Sequence, residues 1–174
     1  RPRTAVLNNL EFDHADIFEN LDAIKKSFSH FIRLIPRNGL LLGNGDDPNL
    51  APLLNVNFCP VKRFGLGENN AVRATNMRLG PTASEFEIPS AKFHLNLAGE
   101  FNVRNALAAA ACAMAAGIAP RDIGAGLAAF RPVSGRGARL RTSSGACLID
   151  DSYNANPDSV RAAIDLLAGC ASPR

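Results

Sequence analysis

Three short clusters in this sequence carry residue types that do chemistry. The first, Asn8-Asn9-Leu10-Glu11-Phe12-Asp13-His14-Ala15-Asp16, follows directly on the apolar run Thr4 to Leu7. Ligands collect at the carboxyl ends of strands in open α/β sheets, so a polar loop in that place stands in a site position. Carboxylates with one imidazole can hold a hard cation such as Mg2+ or Mn2+, although Mg2+ prefers oxygen ligands and keeps several waters. A polar loop whose acids cap the next helix uses the same residues, and on chemistry alone both readings stay open.

The second cluster is Gly99-Glu100-Phe101-Asn102-Val103-Arg104-Asn105, at a helix start. Asn102 and Asn105 lie three apart, so their amides share one helix face and can offer donor and acceptor to a planar base such as adenine. N-capping accounts for one asparagine and helps little with the second. The third cluster joins Ser134-Gly135-Arg136-Gly137-Ala138-Arg139 to Asp150-Asp151-Ser152-Tyr153-Asn154-Ala155-Asn156-Pro157. Its glycines free the backbone for close approach to phosphate, and Arg136 offers a planar fork for phosphoryl oxygens. Paired acids at a strand end suit ribose hydroxyls, whereas Asp-Asp-Ser and Asn-Pro also serve as plain turn and cap chemistry.

The elements that must position these clusters follow from hydrophobic spacing. Thr4 to Leu7, Leu40 to Leu42 and Val61 to Phe64 read as buried strands. Leu21, Ile24, Phe28, Phe31, Ile32 and Ile35 recur at helical spacing, and Asp46-Asp47-Pro48 starts a short helix through Leu54. Strand, helix, strand, helix, strand is a parallel α/β pattern. Beyond Gly65 the runs Ala71 to Leu79, Ser84 to Ile88 and Phe93 to Leu97 read as a small antiparallel edge. Asn105 to Ala116 is Ala-rich and helical with Gly117 closing it, and a second helix covers Pro120 to Phe130. A strand Ala146 to Ile149 and a helix from Pro157 complete the pattern, with a domain boundary near Pro89 to Ala98.

Global properties narrow the options. The 174 residues amount to one domain or two small lobes, with 47% hydrophobic and 20% charged residues in the ordinary globular range. No apolar run reaches the roughly 18 residues of a spanning helix. A formal charge of +3 without a basic block and interleaved aromatics gives no case for nucleic acid. The four cysteines, Cys59, Cys112, Cys147 and Cys170, form no C-x-x-C pair, which fits a reducing compartment. The chain opens Arg-Pro-Arg without a secretory signal and closes without the strand an α/β unit would supply next, so it reads as a piece of a longer protein.

Taken in order, the stretch Leu7 to Asp16, the strand end Asp46-Asp47, Gly99-x-x-Asn102-x-x-Asn105-Ala-Leu-Ala-Ala, Gly135-Arg136 and Asp150 to Pro157 resemble the motifs of the Mur ligase family. The resemblance covers nearly the whole chain. Residues 1 to about 88 look most like the family's murein peptide ligases, and Asn96 onward most like its D-alanyl-D-alanine-adding ligases. It implies a bacterial, cytoplasmic, ATP-dependent enzyme of peptidoglycan synthesis or recycling. Such an enzyme forms an amide bond between a UDP-muramoyl carboxylate and an amino acid or peptide, with Mg2+ or Mn2+. It further implies a metal role for His14, adenine contacts from Asn102 and Asn105, a γ-phosphate contact from Arg136 and ribose or phosphate contacts from Asp151.

The fold so implied is the end of a P-loop-type central ATPase domain, residues 1–90, followed by the start of a Rossmann-like C-terminal domain, residues 91–174. Three departures stand out. No G-x-x-x-x-G-K-[ST] occurs, so the phosphate-cradling loop is expected upstream of residue 1. Phe101 stands where many relatives carry His, and Lys25 and Lys26 sit about a turn early for the carbamylated lysine of several relatives, so that role is not assigned. Without the phosphate-cradling loop this piece alone is expected to be inactive even as part of a ligase; the rival reading is a non-catalytic nucleotide-binding or structural fragment lacking the P-loop.

Overall fold

The protein is described by a computed structural model covering residues 1–89, 91–153 and 155–170; Ser90, Asn154 and the tail from Ala171 to Arg174 lie outside the described residues. β1 (Thr4–Leu7), β2 (Leu40–Asn44), β3 (Val61–Gly65) and β4 (Val72–Arg73) pair in that order, every neighbour parallel. Parallel strands need crossovers. α1 (Leu21–Ile32) returns the chain from β1 to β2, and a short 3-10 helix, Ala51–Leu54, precedes β3. Leu41 and Leu42 are both fully buried, which explains a strand written as a continuous leucine run instead of an alternation.

β5 (Thr75–Leu79), β6 (Ser84–Ile88) and β7 (Ala91–Leu95) form an antiparallel meander, with Phe86 and Phe93 stacked across it at 5.7 Å. α2 (Glu100–Ala115) and α3 (Pro120–Ala129) follow, then the hairpin β8 (Ala138–Arg141) and β9 (Cys147–Asp150), and α4 (Pro157–Ala168). The small residues of α2 let it lie close to its neighbours. Val103, Leu107 and Ala110 are buried in one cluster with Leu42 and Phe64 of the parallel sheet and Phe86, Phe93 and Leu95 of the meander. The opposite face of the parallel sheet is covered by Ile24 and Ile32 of α1. β6 and β7 pair from Ser84 opposite Leu95 to Ile88 opposite Ala91, and the larger core cluster continues from β2 to Ile123 of α3.

The mixed α/β architecture and its parallel strand order match the sequence reading. Several bounds differ for local reasons. α1 ends at Ile32, because the Leu34 and Ile35 N–H groups turn back to the Phe31 and Ile32 carbonyls. The run Ala71 to Leu79 is two strands: β4 joins the parallel sheet, the Ala74 N–H donates to the Gly65 carbonyl, and β5 then begins the meander. α2 begins at Glu100, five residues ahead of the Ala-rich run, since Gly99 adopts φ 94° and its carbonyl receives the first helical N–H groups. Among the described residues no helix is long and apolar enough to cross a membrane.

Candidate functional site

The loop after β1 is braced from the end of β2. Asp47 accepts from the Leu10 N–H at 2.8 Å through one oxygen and from the Asn49 and Leu50 N–H groups at 2.8 and 2.9 Å through the other. Asn49 completes the brace by donating its amide to the Leu10 carbonyl at 3.0 Å. Held in this way, the loop reaches two distant helices. Asn8 Nδ2 donates to Asn105 Oδ1 of α2 at 2.7 Å, and Asn156 Nδ2, at the N-terminus of α4, donates to Glu11 Oε1 at 3.4 Å. Asn9 holds the same Glu11 oxygen at 2.9 Å. The first cluster of the sequence thus meets the second directly and the third through Asn156, at the carboxyl end of a parallel strand.

Neither Asn102 nor Asn105 caps α2. The N-cap is Gly99, with no side-chain cap bond. Asn102 Nδ2 instead donates backward to the Ala98 carbonyl at 2.8 Å. Neither side chain accepts from the unpaired N–H groups of the first turn. In α1 the cap is Asn20, which accepts from the Ala23 N–H at 2.9 Å, so the acids of the preceding loop are not needed for capping.

Between the two asparagines sits Arg104, which the sequence reading passed over. Its guanidinium donates to Asp46 Oδ2 at 3.0 Å and to Glu100 Oε1 at 2.9 Å. Asp46 also accepts from the Leu66 N–H at 2.6 Å, the Gly67 N–H at 3.1 Å and Asn70 Nδ2 at 2.6 Å. Burial alone would push the Asp46 carboxyl up, but these donors and the Arg104 charge together hold it below the ordinary carboxylate value. One carboxylate thus ties β2, the loop after β3 and α2 together.

In the third cluster, Asp150 and Asn156 do turn and cap work. Asp150 accepts from the Ser152 hydroxyl at 2.6 Å and the Gly135 N–H at 3.1 Å, and these donors, the Ser152 hydroxyl foremost, hold its carboxyl below the ordinary carboxylate value. Asn156 caps α4 in a reciprocal box with Ser159. Arg136 is exposed, with its guanidinium 4.1 Å over the Tyr153 ring, while Gly135 and Tyr153 are joined by a backbone bond of 3.1 Å. Asp151 is exposed and lines a hollow with Leu148, Val160 and Ile164. His14 is exposed at a left-handed φ of 55°. Among the described residues no group of three or more His, Cys, Asp or Glu side chains gathers around a point that could hold a metal.

A parallel sheet with an amide- and carboxylate-rich cluster beyond its strand ends defines an open α/β protein, the class that carries ligands at the carboxyl ends of its strands. The chain belongs to the Mur ligase family: the Mur ligase middle domain matches residues 1–113. Over 97% of its length it is 34% identical to the UDP-N-acetylmuramate--L-alanyl-gamma-D-glutamyl-meso-2,6-diaminoheptandioate ligase of Escherichia coli K12, and it covers 37% of that protein. A crystal structure of MurF from Acinetobacter baumannii superposes with a TM-score of 0.88 at 32% identity, over 97% of this chain and 38% of that one. The MurF ligase of Thermotoga maritima in complex with ADP shares the fold at a TM-score of 0.78 and 23% identity, over 96% of this chain and 39% of that one. The likenesses to a murein peptide ligase and to MurF therefore each run through both halves of the sequence, and the chain spans less than two fifths of the length of these relatives.

Proposed function

We propose that this chain is part of a bacterial, cytoplasmic, ATP-dependent ligase. The whole enzyme joins the carboxylate of a UDP-muramoyl substrate to an amino acid or peptide through an acyl phosphate, in peptidoglycan synthesis or recycling. The observation that carries the reading is the Asn8 to Asn105 hydrogen bond, which brings the loop after β1 and the base-reading face of α2 to one place. Family membership supplies the reaction class. The chain would hold the last part of the central domain and the first part of the C-terminal one.

The residues present fit a nucleotide. Asn102 has its amide nitrogen committed to Ala98, which turns its oxygen into the available acceptor, and Asn105 bonds Asn8 through one group of its amide, which leaves the other to offer. Arg136 would bind the γ-phosphate and Asp151 the ribose or phosphate. His14 alone offers one imidazole, so a divalent ion there would be completed by phosphate oxygens and water. ATP supplies the phosphoryl group that activates the carboxylate. Arg136 stabilises charge on the transferring phosphoryl oxygens, a contact that strengthens toward the transition state. The β- and γ-phosphates would be cradled by residues outside this sequence, which has no G-x-x-x-x-G-K-[ST].

The test is a pair of variants in the full-length protein. Arg136→Ala should depress kcat more than it raises the KM for ATP, and Asn105→Ala should chiefly raise that KM. Equal effects of both on KM alone would contradict the division of roles.

A further inference from the structure

Tyr153, the single tyrosine of the chain, is 68% exposed, so its ring adds little to a core. Its backbone, by contrast, is tied down. The Tyr153 N–H donates to the Gly135 carbonyl at 3.1 Å, and the Gly135 N–H donates to Asp150 Oδ2 at 3.1 Å. The other Asp150 oxygen accepts from the Ser152 N–H at 3.2 Å and from the Ser152 hydroxyl at 2.6 Å. The loop before β8 and the loop after β9 are thereby joined at Tyr153 and at the residue preceding Arg136. The joint needs its glycine. Gly135 has a φ of 76°, and a Cβ there would stand 3.1 Å from the Tyr153 nitrogen and 3.2 Å from the Tyr153 Cβ.

The joint sets the ring against Arg136, whose guanidinium carbon lies 4.1 Å over the ring centroid, within the reach of cation–π attraction. A ring holds a guanidinium through its face and supplies no acceptor atom, so this contact orients the group without adding a carboxylate that would compete with an anionic ligand. Arg104 is fixed in the other way, between the Asp46 and Glu100 carboxylates at 3.0 and 2.9 Å, which suits a tie between elements. Three residues beyond Tyr153, Asn156 donates to Glu11 at 3.4 Å, its sense set because its oxygen accepts from the Ser159 N–H. The stretch that carries Tyr153 thus ends against the loop after β1.

We propose that Tyr153 is a positioning residue for phosphoryl transfer, its ring face setting the direction of the Arg136 guanidinium. As the γ-phosphorus to oxygen bond of ADP breaks and the bond to a substrate carboxylate oxygen forms, an arginine so directed meets the charge on the phosphoryl oxygens. The inference rests on the γ-phosphate role of Arg136 proposed above. The ring face acts, and phenylalanine supplies it as well.

The experiment measures kcat and the KM for ATP on the full-length protein, for wild type, Tyr153→Phe, Tyr153→Leu, Arg136→Ala and the double variant Tyr153→Leu with Arg136→Ala. Tyr153→Leu should lower kcat by about threefold to tenfold with KM within about twofold, because a misdirected group loses more in the transition state than in the ground state. Tyr153→Phe should stay within about twofold of wild type in both constants. In the Arg136→Ala background, Tyr153→Leu should change kcat by less than about twofold, since the group it directs is gone. A Tyr153→Phe as damaging as Tyr153→Leu, a loss confined to KM, an unchanged Tyr153→Leu, or the same loss of kcat with and without Arg136 would each overturn the proposal while leaving Arg136 in place. An Arg136→Ala variant with wild-type kcat overturns the reading of Arg136 itself, and the role of Tyr153 falls with it.

Discussion

Arg104 and Asp46, 58 residues apart in sequence, form a half-buried ion pair of 3.0 Å that pins α2 to the end of β2. The consequence is positional. The turn of α2 that carries Asn102 and Asn105 is held against the parallel sheet by the residue between them. Arg104 gains further orientation from Glu100 one turn earlier, at 2.9 Å, a pair open enough to solvent to add little stability of its own.

Asp46 should therefore be the more costly partner to remove. Asp46→Ala strips the acceptor from two backbone N–H groups and from Asn70 as well as from Arg104, and should destabilise the fold by roughly 1.5–3 kcal/mol, the scale of hydrogen bonds to a charged group. Arg104→Ala should cost about 1 kcal/mol or less. The pH dependence follows from the direction of the Asp46 shift. Its folded-state value lies below the ordinary 3.8, so its contribution is fully present above that pH and is lost as pH falls through the folded value. Chemical denaturation of wild type and Asp46→Ala at a series of pH values should give a constant difference at neutral pH that shrinks only in the acid range below about 4. A difference that already shrinks between pH 7 and 5 would contradict the assignment.

His14 gives a different kind of prediction. Because its side chain is exposed, removing it opens no cavity, and His14→Ala should change stability by no more than about 0.5 kcal/mol. If it contributes to holding a nucleotide-bound ion, the same variant in the full-length protein should need a higher Mg2+ or Mn2+ concentration for half-maximal turnover. Unchanged metal dependence would remove it from the site.

The parallel strands were legible because their burial on both faces leaves apolar runs such as Leu40 to Leu42, bounded by polar strand ends that also mark where a site can lie. The pairing of Asn102 with Asn105 on one helix face was legible from spacing alone. What spacing cannot supply is the partner across 97 residues, and the Asn8 to Asn105 bond is of that kind. Asp46 stood within a visible strand end, yet its ligands Leu66 and Gly67 are backbone groups that leave no mark in side-chain sequence. Local backbone conformation also moved element ends. α2 begins at Glu100 because Gly99 turns the chain, a conformational effect that outruns the Ala-rich propensity signal beginning at Asn105. For Arg136 and Asp151 the motif names the residues, and the local geometry explains Asp150, Gly135 and Tyr153 more fully than it explains either of them.

The proposed activation of a muramoyl carboxylate as an acyl phosphate by the whole protein is tested most directly by oxygen-isotope transfer. In the proposed first step a carboxylate oxygen would bond to the γ-phosphorus as ADP leaves; in the second the amine would attack the acyl carbon and phosphate would depart with that same oxygen. With the UDP-muramoyl carboxylate labelled with oxygen-18, the full-length protein should release inorganic phosphate carrying one labelled oxygen per amide bond formed, and ADP without label. Unlabelled phosphate accompanying amide formation, or label recovered in AMP, would contradict the account.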